Sequence, residues 1–458
     1  MTGIESRKHV VAGEAPLTRR SALRWAAGLA ALAGGQLAAA CSVGGAGQSS
    51  GGEASGKAPA TIVYWCNVGQ ADWEKIEMAA REYAKKNPHH KLESSNFDTS
   101  STSEADYGAK MITAFAGGSA PDVIWTTTRR IIPFAAAGGL ADLGPLYSRS
   151  KIKTDQYYPQ AIDEQTYNGK LNGITQGWGV GVMGINKQLF ENAGVALKPD
   201  FDKTWTQQDM IDMTKKVAKL NAQGDLEVWG VEWSETWPAW WDFGVEFLDK
   251  DKKKVAINEK PGGAQALQFW YDLTWTYRVQ PKRTGGDRPS GVDTWVTGRR
   301  GLLGNAGPFV LAQWGPLDFK DKADIVLRPK GPAPRFHRWY TDCYSLWSAS
   351  RMKDAAWEFM AYAGTEGQKD VENAGGRSIP GYRPVAEGLF LQRKTLNINK
   401  QRWLDAAKEA KQQPLVKPWD EMNSIVSKYR NDLLDQKIAA REAAQGIERE
   451  VTALLAQT

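Results

Sequence analysis

The densest group of side chains that could bind or transform a substrate is EWSETWPAWWDF, residues 232–243. Its tryptophans offer flat apolar rings that can stack on the C–H face of a sugar, while carboxylates and amides bind the hydroxyls. Acids here could also form the acid–base pair of an exported glycoside-acting enzyme, either Glu232 with Glu235 or Asp242 with Glu246. Acid pairs on helices are usually solvated, and nothing upstream resembles a hydrolase signature. We therefore expect binding without catalysis.

Tryptophan is the most abundant aromatic residue, with 20 copies against 14 tyrosines and 13 phenylalanines. A saccharide cleft would accumulate this side chain, but most tryptophans of a protein lie in cores or are half-exposed. Position in the fold must therefore separate the binding candidates from the core.

Metal and thiol chemistry have little support in the sequence. The chain has four histidines, and one of them, His9, lies in the N-terminal segment that reads as an export signal. Because so few remain, we expect no histidine-based zinc site and no cofactor. The cysteines Cys41, Cys66 and Cys343 form no CxxC or Cys/His pattern. If Cys41 is acylated, the other two could pair or stay free, and their spacing leaves both alternatives open.

Residues 1–40 read as an export signal. Arg19 and Arg20 precede an apolar run, residues 25–40, that is too short and too rich in small residues to span a bilayer stably. TRRSALR resembles the twin-arginine export motif, and LAAAC resembles a bacterial lipobox in which a lipidated Cys41 becomes the new N-terminus. Ordinary signal cleavage with an incidental Cys41 is the alternative. Residues 41–59 are rich in glycine and serine and should form a flexible tether.

The charge balance argues against a nucleic-acid partner. Loss of residues 1–40 removes five basic and two acidic residues, so the formal net charge falls from +6 to +3. The chain has no stripe of lysine and arginine interleaved with aromatic residues, which is the pattern typical of nucleic-acid binding. The remaining length suffices for two globular lobes.

The mature chain opens with alternating strands and helices. TIVYW, KLESSNF and PDVIW read as strands, and the helices between them run from about Asp72 to Lys86 and from about Glu104 to Ala116. This order predicts a largely parallel sheet covered by helices, in an α/β fold. Ligands of such sheets bind beyond the carboxyl ends of the strands. Candidate binding residues at that edge are Trp65, Asn67, Trp125, Thr128 and Arg129.

A second unit begins near Val182. GVMGIN reads as a strand, and KQLFENAGV and TWTQQDMIDMTKKVAKL read as helices, the second of which is capped near Thr206. The final helical segment starts at about Trp419 and carries an apolar stripe of 3.6-residue period, formed by Met422, Ile425 or Val426, Tyr429 and Leu433.

The chain resembles the extracellular solute-binding proteins, family 1, the class that includes maltose-binding protein and serves importers of the ATP-binding-cassette type. The resemblance covers nearly the whole mature chain. The motifs that carry it are AFAGGSAPDVIWTTTRRIIPFAAAGGLADL, YNGKLNGITQGWGVGVMGINKQLFENAGV, GRRGLLGNAGPF and SLWSASRMKDAAWEFMAYAGTEGQ.

The resemblance implies a two-lobed, periplasmic-binding-protein-like α/β fold with a ligand cleft between the lobes. The hinge would have about three crossings, near Gly179–Val182, Thr341–Ser345 and Ile379–Pro384. The N-terminal lobe would then comprise residues 60–180 and 343–381, and the C-terminal lobe residues 181–342 and 382–458.

The resemblance also implies cleft residues. Trp178 precedes the first crossing, and Trp339 and Tyr340 precede the second. TWP, with Trp237, resembles the segment that carries aromatic subsite residues in the maltose-binding branch, and Glu232 matches its sugar-binding carboxylate.

Further candidates complete the expected site. Phe309 stands where the family usually has a stacking tryptophan, and Trp419 matches another family aromatic. Additional aromatic candidates and hydroxyl partners are Trp240, Trp241, Gln176, Asp342 and Asp98. Arg129 and Arg377 could bind an acidic ligand or form exposed ion pairs.

We expect an exported, monomeric receptor that is anchored by lipid to the outer face of the cytoplasmic membrane, with a periplasmic location as the alternative. It would deliver a mono- or oligosaccharide to the permease subunits of an ATP-binding-cassette importer. The alternative is the same fold binding another small solute, such as glycerol phosphate or a polyamine. A phosphate ligand would need convergent cations or a glycine-rich helix start, and we find no compelling loop of that kind.

Overall fold

The computed structural model describes residues 59–234, 236–283, 297–314, 322–393 and 397–458. The predicted export signal, Cys41 with its predicted lipid, and the tether up to residue 58 lie outside the described residues, as does Glu235. Among the helices of the described part, none has the length and apolar composition that a membrane crossing requires.

Strands and helices alternate along most of the chain. Within the described residues the strands are β1 (Ala60–Cys66), β2 (His90–Asn96), β3 (Val123–Thr127), β4 (Thr166–Tyr167), β5 (Lys170–Leu171), β6 (Ile174–Val180), β7 (Met183–Asn186), β8 (Lys219–Leu220), β9 (Leu226–Glu232), β10 (Arg300–Leu303), β11 (Ala323–Val326), β12 (His337–Leu346), β13 (Ile379–Pro380) and β14 (Ala410–Gln412).

The helices of the same residues are α1 (Gln70–Lys86), α2 (Glu104–Ala116), α3 (Thr128–Ala136), α4 (Gly144–Arg149), α5 (Pro159–Glu164), α6 (Lys187–Asn192), α7 (Gln207–Val217), α8 (Thr236–Trp241), α9 (Gly262–Trp275), α10 (Val310–Trp314), α11 (Lys353–Ala363), α12 (Gly367–Asn373), α13 (Arg383–Val385), α14 (Gln401–Ala407), α15 (Trp419–Leu434) and α16 (Ala440–Leu455). Short 3-10 turns at Thr154–Gln156 and Phe201–Lys203 and a π-helical turn at Ala386–Phe390 connect them.

Local sequence signals explain the opening elements. In α1 the residues Trp73, Ile76, Ala80 and Tyr83 form an apolar face that is buried against β1, and the helix begins two residues earlier than expected, at Gln70. The bounds of α2 agree with the prediction, because the Ser103 hydroxyl accepts a hydrogen bond of 3.2 Å from the backbone N–H of Asp106.

The first sheet has the strand order β13-β6-β12-β3-β1-β2, and β14 pairs with β12. β1 runs parallel to β2 and to β3, as the alternation of strands and helices predicts. The expectation of a largely parallel sheet is wrong for the other half, because β12 is antiparallel to both β3 and β6. β12 returns from a late part of the chain, so no local crossover helix constrains its direction.

The second sheet has the order β11-β7-β10-β9-β8. The chain leaves the first sheet after β6 and enters the second at β7, two residues later, and it is back in the first sheet at β12. We call the parts built on the two sheets the first and the second lobe. The predicted two-lobed α/β fold is confirmed, whereas the exact lobe boundaries stay a prediction.

The C-terminal helices form part of the second lobe's core. α15 and α16 pack on α9 and α8, and the predicted stripe of Met422, Val426, Tyr429 and Leu433 is buried there, with Ile425 partly buried. α7 begins after Thr206, whose side chain and the Asp209 carboxylate form the reciprocal hydrogen bonds of a capping box.

Candidate functional site

A cavity of about 220 Å³ lies at the carboxyl ends of β1 and β3, between them and the turn that precedes α10. Its walls come from the loop after β1, the start of α1, the end of β3, alternate residues of β12, and the segment after β10. They consist of Asn67, Val68, Gly69, Asp72, Thr99, Glu104, Trp125, Thr127, Thr128, Arg129, Asn305, Phe309, Arg338, Tyr340, Asp342, Arg377 and Gln413.

Seven of the sixteen predicted ligand-binding residues line this cavity: Asn67, Trp125, Thr128, Arg129, Phe309, Tyr340 and Asp342. The first four were predicted from the rule that ligands bind at strand ends. They lie together because β1 and β3 are parallel neighbours. Three larger clefts, of about 570, 880 and 930 Å³, contain none of the predicted residues. Ligand contact by each residue stays a prediction.

The tryptophans next to the crossings pack on each other. Trp178 is 1 % exposed, and its ring is stacked on that of Trp339 with 4.3 Å between ring centroids. The Nε1 of Trp339 donates a hydrogen bond of 3.0 Å to the Thr341 hydroxyl. Both rings therefore belong to the core behind the cavity and not to its lining.

The tryptophans of the 232–243 stretch and Trp419 also lie in a core. Trp237 contacts Trp419 with 5.3 Å between ring centroids, and both are buried among the C-terminal helices with Trp240 and Trp241. α8 is one and a half turns long and is enclosed by α9 and the end of the chain, so its aromatic residues all meet other apolar side chains.

Three predicted residues lie in other polar or half-exposed surroundings. Trp65 points to the face of β1 opposite Tyr64 and packs edge-on against Phe97. Glu232 forms an ion pair of 2.7 Å with Arg300 in the second sheet. Gln176 is buried behind the cavity, where its side-chain oxygen accepts a hydrogen bond of 3.2 Å from Arg377.

A buried ion triad forms the floor of the cavity. Arg377 donates through Nε to Asp72 at 3.0 Å and through Nη1 to Asp342 at 2.6 Å, and its guanidinium lies 5.2 Å from the Trp125 ring centroid. Burial raises the pKa of each carboxyl, and the Arg377 charge opposes that rise. Burial acts to lower the pKa of Arg377, but Asp342 and Asp72 outweigh it and hold the pKa above its usual value.

The charges of the cavity wall balance. Three acids, Asp72, Glu104 and Asp342, face three arginines, Arg129, Arg338 and Arg377. Arg129 pairs with Glu104 at 2.8 Å at the rim, and the Asp72 carboxylate also accepts from the Gln313 side chain of α10. The wall therefore favours a ligand without net charge.

Four side chains of the wall carry polar atoms that have no hydrogen-bond partner among the described residues. The acceptors are the Oδ1 atoms of Asn67 and Asn305, and the donors are the Nε1 of Trp125 and the Nε2 of Gln413. Buried polar atoms without partners are costly and rare in proteins. Two donors and two acceptors around one cavity match hydroxyl groups, each of which both donates and accepts.

Several wall residues were missed by the sequence analysis. The sequence analysis places Asp72 and Glu104 only at the starts of helices, although the first turns of helices that follow strand ends also face the ligand edge. Asn305 belongs to the quoted motif NAGPF, of which only Phe309 was selected. Gln413 follows β14, and no sequence signal connects it with β1.

One group of possible metal ligands lies outside the cavity. A ring nitrogen of His89, one of His90 and a carboxylate oxygen of Glu358 are within 4.8 Å of one another. The Nδ1 of His90 already shares a hydrogen bond of 2.6 Å with the Tyr83 hydroxyl, so we assign no metal to this group. Cys66 and Cys343 are buried free thiols.

Comparison with known proteins places the fold in a family. Residues 70–370 match the family described as bacterial extracellular solute-binding protein. A binding protein of Brucella abortus is 24% identical over 327 residues, 69% of this chain and 75% of that protein. An arabinooligosaccharide-binding protein of Bacillus subtilis is 29% identical over 291 residues, 60% of this chain and 62% of that protein.

A solved structure extends the likeness to the whole fold. The substrate-binding protein of Listeria monocytogenes in complex with cycloalternan superimposes with a TM-score of 0.77 at 20% identity, over 87% of this chain and 99% of that chain. At 20% identity this similarity shows a shared fold and no more. The shared fold agrees with the two sheets and with the family match. The chain belongs to the bacterial extracellular solute-binding proteins.

Proposed function

We propose that this protein captures a neutral saccharide in the cavity between its lobes and presents it to an importer of the ATP-binding-cassette type. The observation that carries the proposal is the set of unpartnered donors and acceptors on Asn67, Trp125, Asn305 and Gln413. Aromatic side chains in the same wall can stack on the C–H faces of a sugar ring. The relatives named for arabinooligosaccharide and cycloalternan support the same ligand class.

The balanced wall disfavours the charged alternatives. A glycerol phosphate ligand needs positively charged side chains that are not already paired with carboxylates. Arg129 and Arg377 are paired with carboxylates at 2.6–3.0 Å. A polyamine needs free carboxylates, and Asp72 and Asp342 are committed to Arg377. A neutral polyol avoids both penalties, because a charge buried without a counter-charge is costly.

We propose binding without covalent change. Three of the four acids considered for acid–base work, all but Glu235, lie in the described residues and contact other side chains: Glu232 pairs with Arg300 at 2.7 Å, and Asp242 pairs with Arg328 at 2.8 Å in a fully buried pair. Glu246 accepts hydrogen bonds from Trp241 and Lys411. None of these three acids lines the cavity, so none is placed to act on a ligand bound there.

The cellular part of the proposal rests on the N-terminal sequence. We propose export by either the twin-arginine or the general route, cleavage before Cys41, lipidation of that cysteine, and a monomeric receptor tethered to the outer face of the cytoplasmic membrane. Permease subunits of the importer would be its protein partners. The lobe boundaries given above belong to this proposal, since closure around a ligand needs two bodies and a hinge.

A ligand panel tests the proposal. Tryptophan fluorescence and calorimetry are followed while arabino-oligosaccharides, maltotriose, cycloalternan, tagatose, glycerol phosphate and spermidine are added. We expect saturable binding of at least one saccharide, loss of affinity in Asn67→Ala and Gln413→Ala, and no product from labelled oligosaccharides. Saturable binding of glycerol phosphate or spermidine alone would contradict the proposal.

A further inference from the structure

A buried carboxyl group lies directly behind the cavity wall. Glu164, the last residue of α5, is 2 % exposed, and its Oε2 is 2.7 Å from the hydroxyl oxygen of Thr128, which lines the cavity. Its other oxygen, Oε1, has no hydrogen-bond partner among the described residues. The group has no ion-pair partner within the same residues, so its charge state must follow from its hydrogen bonds.

The Thr128 hydroxyl has three close neighbours but only one proton. The backbone N–H of Thr341 donates to it at 2.7 Å, while the Thr341 carbonyl oxygen lies at 2.9 Å and Glu164 Oε2 at 2.7 Å. A hydroxyl can donate one hydrogen bond and accept two. If Glu164 were ionised, the hydroxyl would face two acceptors, and one of them would lack a proton.

A protonated Glu164 satisfies all three contacts of the Thr128 hydroxyl. Its O–H then donates to the Thr128 hydroxyl, and the Thr128 hydroxyl donates to the Thr341 carbonyl. The backbone N–H of Thr341 donates to the Thr128 hydroxyl as the third contact. These hydrogen bonds join Thr128, the residue directly after β3, to Thr341 in the middle of β12. Both segments supply cavity residues, Trp125 from β3 and Tyr340 and Asp342 from β12.

We infer that Glu164 is a positioning residue that must carry a proton for the cavity to keep its ligand-binding form, and that its ionisation weakens ligand binding. The inference rests on the proposed function. Ionisation would draw the Thr128 proton away from the Thr341 carbonyl and add a negative charge behind Asp342. The strand ends that carry the cavity wall would then move apart.

The surrounding charges agree with a neutral acid. Burial raises the pKa of Glu164 to about 8 and Asp342 raises it further, while the nearby Thr341 and Thr128 side chains and the charge of Arg338 act to lower it. On α3, Arg129 pairs with Glu104, and Arg130 pairs with Asp420. β6 contributes no charged side chain, and Asp163 of α5 is exposed.

The test is the pH dependence of affinity for a saccharide that binds in the panel. From about pH 6.5 to about pH 9.5 we expect the dissociation constant of the wild type to rise, with about a tenfold loss one pH unit above the midpoint if only the protonated form binds. Glu164→Gln keeps a donor at the same place, so its affinity should match that of the acid form and stay flat. Asp163→Asn, on the same helix, should behave like the wild type.

A second measurement compares the wild type with Glu164→Gln. Infrared difference spectra of the wild type should show a carboxylic-acid C=O band, absent from Glu164→Gln, that disappears with a midpoint near the pKa of Glu164, about 8. Bound saccharide should move that midpoint upward, by the reciprocity of linked equilibria. A pH-independent wild-type affinity, or the absence of such a band, would overturn the inference. If no saccharide binds, the proposed function fails, and the band still decides whether Glu164 holds a proton.

Discussion

The indole rings of Trp178 and Trp339 lie nearly parallel, 9° apart in plane and 4.3 Å apart between centroids. Trp178 belongs to β6 and Trp339 to β12, which are antiparallel neighbours in the first sheet. The chain passes to the second sheet after β6 and is back in the first sheet at β12. Stacked aromatic pairs add ~0.5–1.5 kcal/mol to the free energy of burial. The pair therefore holds together the two strands at the base of both lobes.

Replacing Trp178 by alanine should destabilise the protein more than it weakens ligand binding. Truncation of a buried tryptophan costs ~3–5 kcal/mol of unfolding free energy, and the loss should appear in denaturant unfolding. The double variant Trp178→Ala with Trp339→Ala should lose less than the sum of the single variants. A Trp178→Ala protein that unfolds like the wild type but no longer binds would instead make Trp178 a ligand residue.

Replacing Arg377 by methionine should leave Asp72 and Asp342 buried without their cation. Removing one partner of a buried ion pair costs ~3–5 kcal/mol. The pKa of each carboxyl, already raised by burial, should then rise further. A folded-state pKa above the unfolded value gives stability that is lost as pH rises. The deficit relative to wild type should therefore be smaller near pH 5 than near pH 8.

Unfolding curves of Arg377→Met at several pH values check this sign. Adding Asp72→Asn and Asp342→Asn should recover part of the lost stability and flatten the pH dependence. A deficit that grows as the pH falls would contradict the assignment of the triad.

Two tryptophans with unpartnered indole N–H groups provide a matched test of the cavity. Trp125→Phe keeps a ring in the wall but removes the Nε1 donor, which should weaken saccharide affinity by ~1 kcal/mol, about fivefold. Trp240 also has an Nε1 without a partner among the described residues, but it lies in the second-lobe core. Titration calorimetry should therefore show unchanged affinity for Trp240→Phe. Equal losses in both variants would argue against the cavity as the binding site.

Gly307 lets Tyr340 approach the turn before α10. A Cβ at Gly307 would lie 2.0 Å from the Tyr340 hydroxyl oxygen and 2.7 Å from Phe309 Cε1. Gly307→Ala should therefore displace Tyr340 and Phe309 from the cavity wall, with a stability cost of ~1–3 kcal/mol and a loss of affinity. Gly388→Ala, where a Cβ meets nothing within 4 Å, is the control. Wild-type affinity and melting temperature in Gly307→Ala would show that the wall tolerates the change.

The predicted lipid on Cys41 has a direct test. Cys41→Ala should move the protein from the membrane fraction to the soluble exported fraction, because a tether without lipid has nothing to hold it at the bilayer. Mass spectrometry of the membrane-purified wild type should show an acylated Cys41 at the new N-terminus. An unmodified Cys41 in that material would rule the anchor out.

The fold could be predicted further than the site. Hydrophobic periodicity is local, so the helix from Glu104 to Ala116 and the β-α-β-α-β order were readable directly. Family motifs added the second lobe. The direction of β12 was not readable, because it depends on pairing with β3 and β6 across long stretches of chain.

The site was only partly predictable, because tryptophan serves both cores and sugar surfaces. Trp125 follows the strand-end rule and reaches the cavity. Trp178 satisfies an equally reasonable rule but meets Trp339, and that contact depends on the register between β6 and β12, which pairs Trp178 with Thr341 and Trp339 with Val180. Asp72 and Arg377 are 305 residues apart, so no local pattern announces their ion pair.

The floor of the cavity has a consequence for folding during synthesis. Asp72 and Gln176 are made early, but the cation that holds them arrives only with residue 377, and Gln413 follows later still. Contacts of such long sequence separation form late, because closing long loops has an entropic cost. A nascent chain that has completed both β3 and α10 would still lack a finished pocket. Under the proposed function, ligand capture therefore needs the chain at least as far as Gln413, and a chain truncated before Arg377 could fold locally yet not compete for the solute.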